Sequence, residues 1–366
     1  MIIDLDSHLR EGYFLDEVYK LDGPFAKLTP VRVGGGNGRG HTTKFIHSLD
    51  PISAQGRAAH SHPYIYDPNY GWRGGEMAAR QVAGYDMEKR REGIKKENVD
   101  KEFIFPTQIS IATQNIGPLG MELARHYNDW VAKLVKGYED LFLPVGMAPA
   151  GYPEGMADEL RRGVKELGFK AGHLVPYCGS RNLDNTAYYP YYEAAQELDV
   201  PLFCHPNSNG DLVDRFDNFF KTHVLGRPMN CTPALIALVL GGIFEKFPRL
   251  KVCFFECSAE FPLYWMHRMD DDWEWAQDFP HLKGDLNMPP SEYVKRNCYF
   301  TCEADEKDLA GPIKEVGEDH ILMATDYPHF DSEYPHTVSS IRERTDITAK
   351  QKDKILGENA ARILNM

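Results

Sequence analysis

No apolar run in this chain approaches the roughly 20 residues that a membrane-crossing helix needs, so a membrane is not an expected partner. Positive charge is also in short supply. Lys and Arg number 41 against 54 Asp and Glu, a formal net charge of -13. Such a surface repels polyanions, which excludes nucleic acid and an anionic membrane surface as expected ligands. The seven cysteines include no CxxC pair: Cys253 and Cys257, like Cys298 and Cys302, stand four apart, and Cys178, Cys204 and Cys231 are scattered. An odd count without a framework argues against a zinc knuckle or a disulfide scaffold and leaves reduced thiols packed as small apolar side chains. Sequence repeats are absent as well. The first residues, Ile2-Ile3-Asp4-Leu5-Asp6, already read as a strand, so no signal peptide is expected and the expected location is the cytoplasm.

What is present is ordinary globular material, 42% hydrophobic and 26% charged over 366 residues, enough for one large core. Eight short apolar runs read as strands: Ile2–Asp6, Phe103–Pro106, Leu141–Gly146, Lys170–Val175, Val200–His205, Lys251–Glu256, Cys298–Thr301 and Ile321–Asp326. Most show little alternation, which is how parallel strands buried on both faces look. Helical stretches lie between them at Met87–Lys96, Met121–Lys136, Pro153–Leu167, Tyr188–Leu198, Pro233–Lys246 and Ala259–Trp273, with a closing helix in Thr348–Met366. Eight strand–helix alternations predict an α/β fold, a (β/α)8 barrel more naturally than an open sheet, formed by residues 1–366 as one domain. Two insertions interrupt the rhythm, about 9–84 and 207–229. Both leave from strand ends that would form the catalytic face, so they are expected to cover the site as lid and substrate elements.

The strand ends carry the chemistry. Barrels of this kind place their reacting groups at the carboxyl ends of the strands. Asp6 and His8 lie two apart on the first strand and so share a face. His205 closes the fifth run and is followed by Pro206, Glu256 closes the sixth, and Asp326 closes the eighth before a Pro-marked turn. A carboxylate at the end of a buried strand is costly unless paired or ligated. The plainer alternatives are a hydrogen-bonded strand-end histidine and a carboxylate salt-bridged to a loop cation. His173 sits inside the fourth run behind Gly172, and a neutral core histidine is the ordinary interpretation there; facing the axis, it would complete a second metal position. Mixed nitrogen and carboxylate donors suit zinc, manganese or iron better than calcium or magnesium.

Several stretches taken together resemble the amidohydrolase superfamily, in its amidohydrolase-2 branch of aromatic-acid decarboxylases and relatives. They are Ile3-Asp4-Leu5-Asp6-Ser7-His8, Gly168-Phe169-Lys170, Phe203-Cys204-His205-Pro206, Phe254-Phe255-Glu256-Cys257-Ser258, Met266-His267-Arg268-Met269-Asp270, Thr325-Asp326-Tyr327-Pro328-His329 and Glu358-Asn359-Ala360-Ala361-Arg362. The resemblance implies a distorted (β/α)8 TIM barrel with its metal at the carboxyl ends of the strands, and metal ligands at His8, His205 and Asp326, with Asp6 where many relatives have histidine or glutamate. Glu256 stands where decarboxylase relatives have a histidine, a departure from the usual machinery. Some relatives in this branch are similar to dinuclear iron or manganese–iron enzymes.

The expected activity is therefore metal-dependent hydrolysis, or non-oxidative decarboxylation or another lyase reaction, on a small organic acid or amide through metal-activated water. Asp326 is expected to act as general base, with His205 and Glu256 also in the catalytic set; Asp6, His8, His173, His205, Glu256 and Asp326 form the metal set. The cofactor is one zinc, or two iron or manganese ions if His173 and Glu256 are ligands. Arg215, His223, Arg227 and Trp72 are the candidates for substrate contact, arginine for its bidentate fork. Two alternatives stand beside this: a dinuclear O2-dependent hydroxylase, and a catalytically weak subunit of a hetero-oligomer. The expected partners are a small-molecule substrate and a second copy in a homodimer, with a hetero-oligomer as the other option.

Overall fold

The computed structural model describes residues 1–9, 17, 20–28, 83–84, 86–107, 117–206, 219–279, 281, 284–329 and 331–366. Eight parallel strands appear where the apolar runs predict them: β1 Ile3–Leu9, β2 Lys101–Pro106, β3 Phe142–Pro144, β4 Gly172–Leu174, β5 Leu202–Cys204, β6 Val252–Phe254, β7 Cys298–Cys302 and β8 Ile321–Met323. The hydrogen-bonded ladders join β1-β2-β3 and β4-β5-β6-β7-β8. Two seams close the ring. The first is the parallel bridge Gly146↔Gly172, the second Ser7↔Tyr327. Because each closure is a single bridge rather than a full ladder, the (β/α)8 barrel is distorted, as the family resemblance implies.

The first seam explains its glycines. A Cβ on Gly172 would lie 2.6 Å from Tyr191 Oη and 2.8 Å from Leu160 Cδ1, and one on Gly146 would lie 2.7 Å from the Phe169 ring. Only a residue without a side chain lets the strands and their covering helices approach this closely.

The helices that matter for the site are α1 Met87–Glu97, α2 Pro118–Leu134, α3 Pro153–Glu166, α4 Tyr189–Leu198, α5 Phe219–Leu240, α6 Ile243–Lys246 and α7 Phe261–Ala276. One expectation needs correcting. The stretch Pro233–Lys246 is not one helix: α5 begins at Phe219 and ends at Leu240, and Gly242, with φ of 71°, breaks it from α6. Pro228 and Pro233 lie inside α5. Proline removes a helical hydrogen bond and normally marks a helix start, so Pro233 reads as a boundary from sequence alone. Asn230 Nδ2 and Thr232 Oγ1 bond the carbonyls of Gly226 and Pro228 at 2.6 and 3.0 Å, which keeps polar partners on this interrupted turn. The second half of the 207–229 insertion is thus helical, while residues 207–218 and most of 9–84 lie outside the described residues. The closing helix is realised as three helical pieces, the last, Asn359–Ile363, held where Asn359 Nδ2 donates to the carbonyls of Glu318 and Ile321 at 2.9 and 2.8 Å.

Inside the barrel an aromatic layer forms the floor of the site. Phe105 on β2 and Phe203 on β5 have ring centroids 5.9 Å apart, and Phe255, just past β6, lies 5.3 Å from the first and 4.9 Å from the second. Strands β2 and β5 are not neighbours, so these rings meet only across the barrel axis. All seven cysteines are buried free thiols. Among the described residues no helix is long and apolar enough to cross a membrane.

Candidate metal centre

Asp6 and His8 come from β1, His205 follows β5 directly, and Glu256 and Asp326 follow β6 and β8 after short turns. The two carboxylates do not simply end their strands. Glu256 and Asp326 both have left-handed backbone, with φ of 50° and 54°. For a non-glycine residue this costs about 1–2 kcal/mol, and strain of this kind gathers at functional sites. The sequence predicts extended residues there; the structure turns both carboxyls back over the mouth.

His8 sits at the middle of the group. Its Nε2 lies 3.4 Å from Asp6 Oδ1 and 3.3 Å from Asp326 Oδ1, and its ring is 5.0 Å from that of His205 and stacked at 4.2 Å on His329. His205 Nε2 lies 3.7 Å from Asp6 Oδ2 and 3.8 Å from Glu256 Oε1. Ligand atoms of Asp6, His8, His205 and Glu256 are all within 4.8 Å of one another, as are those of His8, Glu256, Asp326 and His329. The far ring nitrogens fix the tautomers. Nδ1 of His8 faces the Pro106 carbonyl at 3.3 Å and Nδ1 of His205 faces the Pro206 carbonyl at 2.8 Å. A carbonyl only accepts, so each Nδ1 carries the proton and each Nε2 presents a lone pair to the centre.

Burial dominates the electrostatics. It pushes Asp6 up to about 7, although His205 and Arg227 pull the other way. Asp326 is raised well above the usual carboxylate range by burial, then by Glu256, Asp331 and Asp6. Burial lowers His8 to about 4 and His173 to about 3. Burial would raise Glu256 too, but Arg227, with Nε 2.9 Å from Glu256 Oε2, and the imidazoles of His205 and His8 hold it below its ordinary value.

A divalent cation fits this set. Asp6 Oδ1 and Oδ2, His8 Nε2 and His205 Nε2 are buried without a hydrogen-bond donor. Four such acceptors facing one another are unfavourable unless positive charge lies between them. Imidazole nitrogen with carboxylate oxygen is a donor set for zinc, manganese or iron.

The other predicted residues fall as follows. His173 lies buried in β4 beside the centre, its ring 6.2 Å from Phe105, both ring nitrogens without a hydrogen bond, but it belongs to neither group of converging ligand atoms. Arg227 and His223 lie on one face of α5, four residues apart. His223 Nε2 is 2.8 Å from Asp331 Oδ2. Both line a cavity of about 150 Å³ that opens onto Asp6, Glu256 and Asp326, with Glu303 and Asp331 on its walls. Arg215 and Trp72 lie outside the described residues. Sequence reasoning missed His329 as a functional residue. Its Nδ1 lies 2.6 Å from Asp326 Oδ1, and its N–H donates to the Asp326 carbonyl at 2.8 Å. The Asp-Tyr-Pro-His turn was the available signal, because a proline-marked turn brings the i and i+3 residues together.

A parallel eight-stranded barrel that gathers imidazoles and carboxylates at the carboxyl ends of its strands is the architecture of a metal-dependent barrel enzyme. The chain belongs to the amidohydrolase family, whose profile, described as Amidohydrolase, matches residues 58–366. It is 26% identical over 286 residues to 2-amino-3-carboxymuconate-6-semialdehyde decarboxylase of Dictyostelium discoideum, covering 77% of each chain. Its fold matches that of 5-carboxyvanillate decarboxylase from Sphingomonas paucimobilis with a TM-score of 0.78 at 21% identity, covering 100% of this chain and 99% of that one. It also matches dihydroxybenzoic acid decarboxylase from Polaromonas sp. JS666, solved with bound manganese and 2-nitroresorcinol, with a TM-score of 0.71 at 21% identity over 100% and 96% of the two chains. These relatives are decarboxylases, and they give no support to a dinuclear oxygenase.

Proposed function

We propose that this chain is a metal-dependent non-oxidative decarboxylase of a small aromatic or conjugated carboxylic acid. The observation that carries this is the placement of Asp326, a buried carboxyl at the junction of the metal centre and the cavity, whose hold on a proton burial strengthens. Hydrolysis needs a base that is ionised before reaction; decarboxylation needs an acid that can protonate carbon. Asp326 suits the second task. Similarity to the amino-carboxymuconate-semialdehyde decarboxylase supports the same choice.

Asp6, His8, His205 and Glu256 would hold the ion, with Asp326 and His329 at its edge. Zinc or manganese suits the donor set, and the manganese in the dihydroxybenzoic acid enzyme supports the latter. The bound ion supplies positive charge that anchors the substrate's oxygen atoms and stabilises negative charge developing on them. Arg227 and His223 face the cavity from α5, and an incoming carboxylate competes with Glu256 and Asp331 for them. Asp326 gives its proton to the ring or vinyl carbon that bears the carboxylate. That carbon's π electrons form the new C–H bond; the bond to the carboxylate then breaks, its electron pair restores the π bond, and CO2 leaves. His329 Nδ1 is placed to return a proton to Asp326. The Phe105, Phe203 and Phe255 floor keeps water from competing for that proton. We also propose that residues 1–366 form one barrel domain and that the protein is a homodimer, which a solution mass measurement tests.

The decisive experiment incubates the manganese-loaded protein in D2O with a panel of hydroxybenzoic and conjugated unsaturated acids, and separately with amides. Release of CO2 with one deuterium at the vacated carbon is expected, and Asp326→Asn should abolish it. Amide cleavage without CO2 release would replace this function with a hydrolytic one.

A further inference from the structure

Strand β1 is irregular directly beneath the metal centre. Its register against β2 slips between Asp4, opposite Glu102, and Ser7, opposite Ile104. One extra residue in a strand takes a backbone group off the ladder and re-aims the neighbouring side chains, and such bulges recur beside active sites. Here the Asp6 N–H is taken by Asp4 Oδ1 at 3.1 Å.

The same Asp4 carboxylate reaches 321 positions along the chain. Its Oδ1 accepts the Thr325 N–H at 3.0 Å and its Oδ2 accepts the Thr325 hydroxyl at 2.5 Å. Thr325 Oγ1 accepts the Tyr327 N–H at 3.1 Å. Two main-chain bonds complete the clasp: Asp326 N–H donates to the Asp6 carbonyl at 2.9 Å and His8 N–H to the Tyr327 carbonyl at 2.7 Å. Thr325 is therefore tied directly to Asp4, and Tyr327 to Asp4 through the Thr325 hydroxyl, while Asp326 itself holds a left-handed backbone. Asp4 is 1% exposed, and the bonds it makes all go to residues flanking the site.

We propose that Asp4, acting through Thr325, is a positioning residue that sets Asp326 against Asp6 and His8. This rests on the metal centre proposed above. A non-glycine residue released from such a turn relaxes toward extended or right-handed backbone, and the Asp326 carboxyl would swing away from His8. The clasp also fixes Asp6, because the acceptor of its N–H is the same oxygen that holds Thr325.

The test titrates metal-free protein with Mn(II), follows free Mn(II) by electron paramagnetic resonance, and records thermal unfolding in parallel. Thr325→Val keeps the shape and removes the hydroxyl; it should weaken Mn(II) binding by about 10- to 100-fold, the usual effect of losing an outer partner of a metal ligand. Thr325→Ser restores the hydroxyl and should restore wild-type affinity. Asp4→Asn, which keeps an oxygen for both N–H groups, should bind more tightly than Asp4→Ala. Asn128→Ala serves as the control for destabilisation alone, since Asn128 bonds Met147 and Glu159, away from the site. It should lower the melting temperature and leave Mn(II) affinity unchanged. Wild-type affinity in Thr325→Val, or equal weakening in Thr325→Ser or Asn128→Ala, would overturn the proposal. Wild-type protein that binds Mn(II) but releases no CO2 would sink the decarboxylase assignment and leave this comparison intact. Wild-type protein that fails to bind Mn(II) would overturn both.

Discussion

Replacing Arg90 by methionine should destabilise the barrel more than any surface charge change. Arg90 lies on α1 with no exposed surface, and its guanidinium forks onto Glu102 of β2, with Nε 2.8 Å from Oε2 and Nη2 3.1 Å from Oε1. The same group donates to the His8 carbonyl at 2.8 Å, the Ala83 carbonyl at 3.2 Å and Ser7 Oγ at 2.6 Å. It therefore ties α1, β1 and β2 together directly behind the metal centre. Removing one partner of a buried pair leaves an uncompensated charge and costs about 3–5 kcal/mol. At roughly 2.1 cal/mol/K of unfolding entropy per residue, 366 residues give about 0.77 kcal/mol/K. The melting temperature should fall by about 4–7 °C.

The loss should depend on pH in a definite direction. Burial already holds Glu102 above its ordinary value despite Arg90, and without Arg90 it rises further. A carboxyl whose folded pKa is raised binds its proton more readily in the folded state, so the folded state is favoured at low pH and loses stability as pH rises through that pKa. Arg90→Met should consequently cost more at pH 8 than at pH 5. In the double variant Arg90→Met/Glu102→Met both charges are gone, and most of the loss should return, because apolar replacement of a whole buried pair is often neutral. A residue of about 1 kcal/mol should remain for the two carbonyls left without their donor. Thermal unfolding by circular dichroism of the three proteins at both pH values reads all of this. A single variant within 1 °C of wild type, or a double variant no better than the single, would refute the reasoning.

Three further outcomes follow from the metal centre and the barrel seam. His8→Ala and His205→Ala should each lose stoichiometric Mn(II) by elemental analysis, and chelation of the wild-type protein should remove about 2.7 kcal/mol of stabilisation where the ion had been present at 100 times its Kd. Gly172→Ala, whose Cβ would meet Tyr191 Oη at 2.6 Å and Leu202 Cδ2 at 3.0 Å, should lower stability by about 1–3 kcal/mol through overpacking; an unchanged melting temperature would mean that this seam can widen.

The parts of this molecule legible in its sequence are those where local chemistry and long-range structure agree. Each strand core is a short apolar, β-branched or aromatic run that has no favourable place except between two covered faces, so all eight could be located. What failed to read was set by contacts that no local pattern encodes. The helix α5 passes through Pro228 and Pro233, each of which reads locally as a helix boundary, and only its packing in the fold carries it on. The left-handed backbone at Glu256 and Asp326 lies in stretches that look like ordinary strand continuations, and only closure of the barrel reveals why they turn. Asp4 shows the limit most clearly. From sequence it is one more strand carboxylate, on the same alternating face as Asp6 and His8 and formally as good a ligand as either. The slip in β1 register removes it from that set and hands it to Thr325, at the other end of the chain. A one-residue bulge thus decides which carboxylates face a metal and which hold the others in place, and residue spacing on β1 alone cannot supply that distinction.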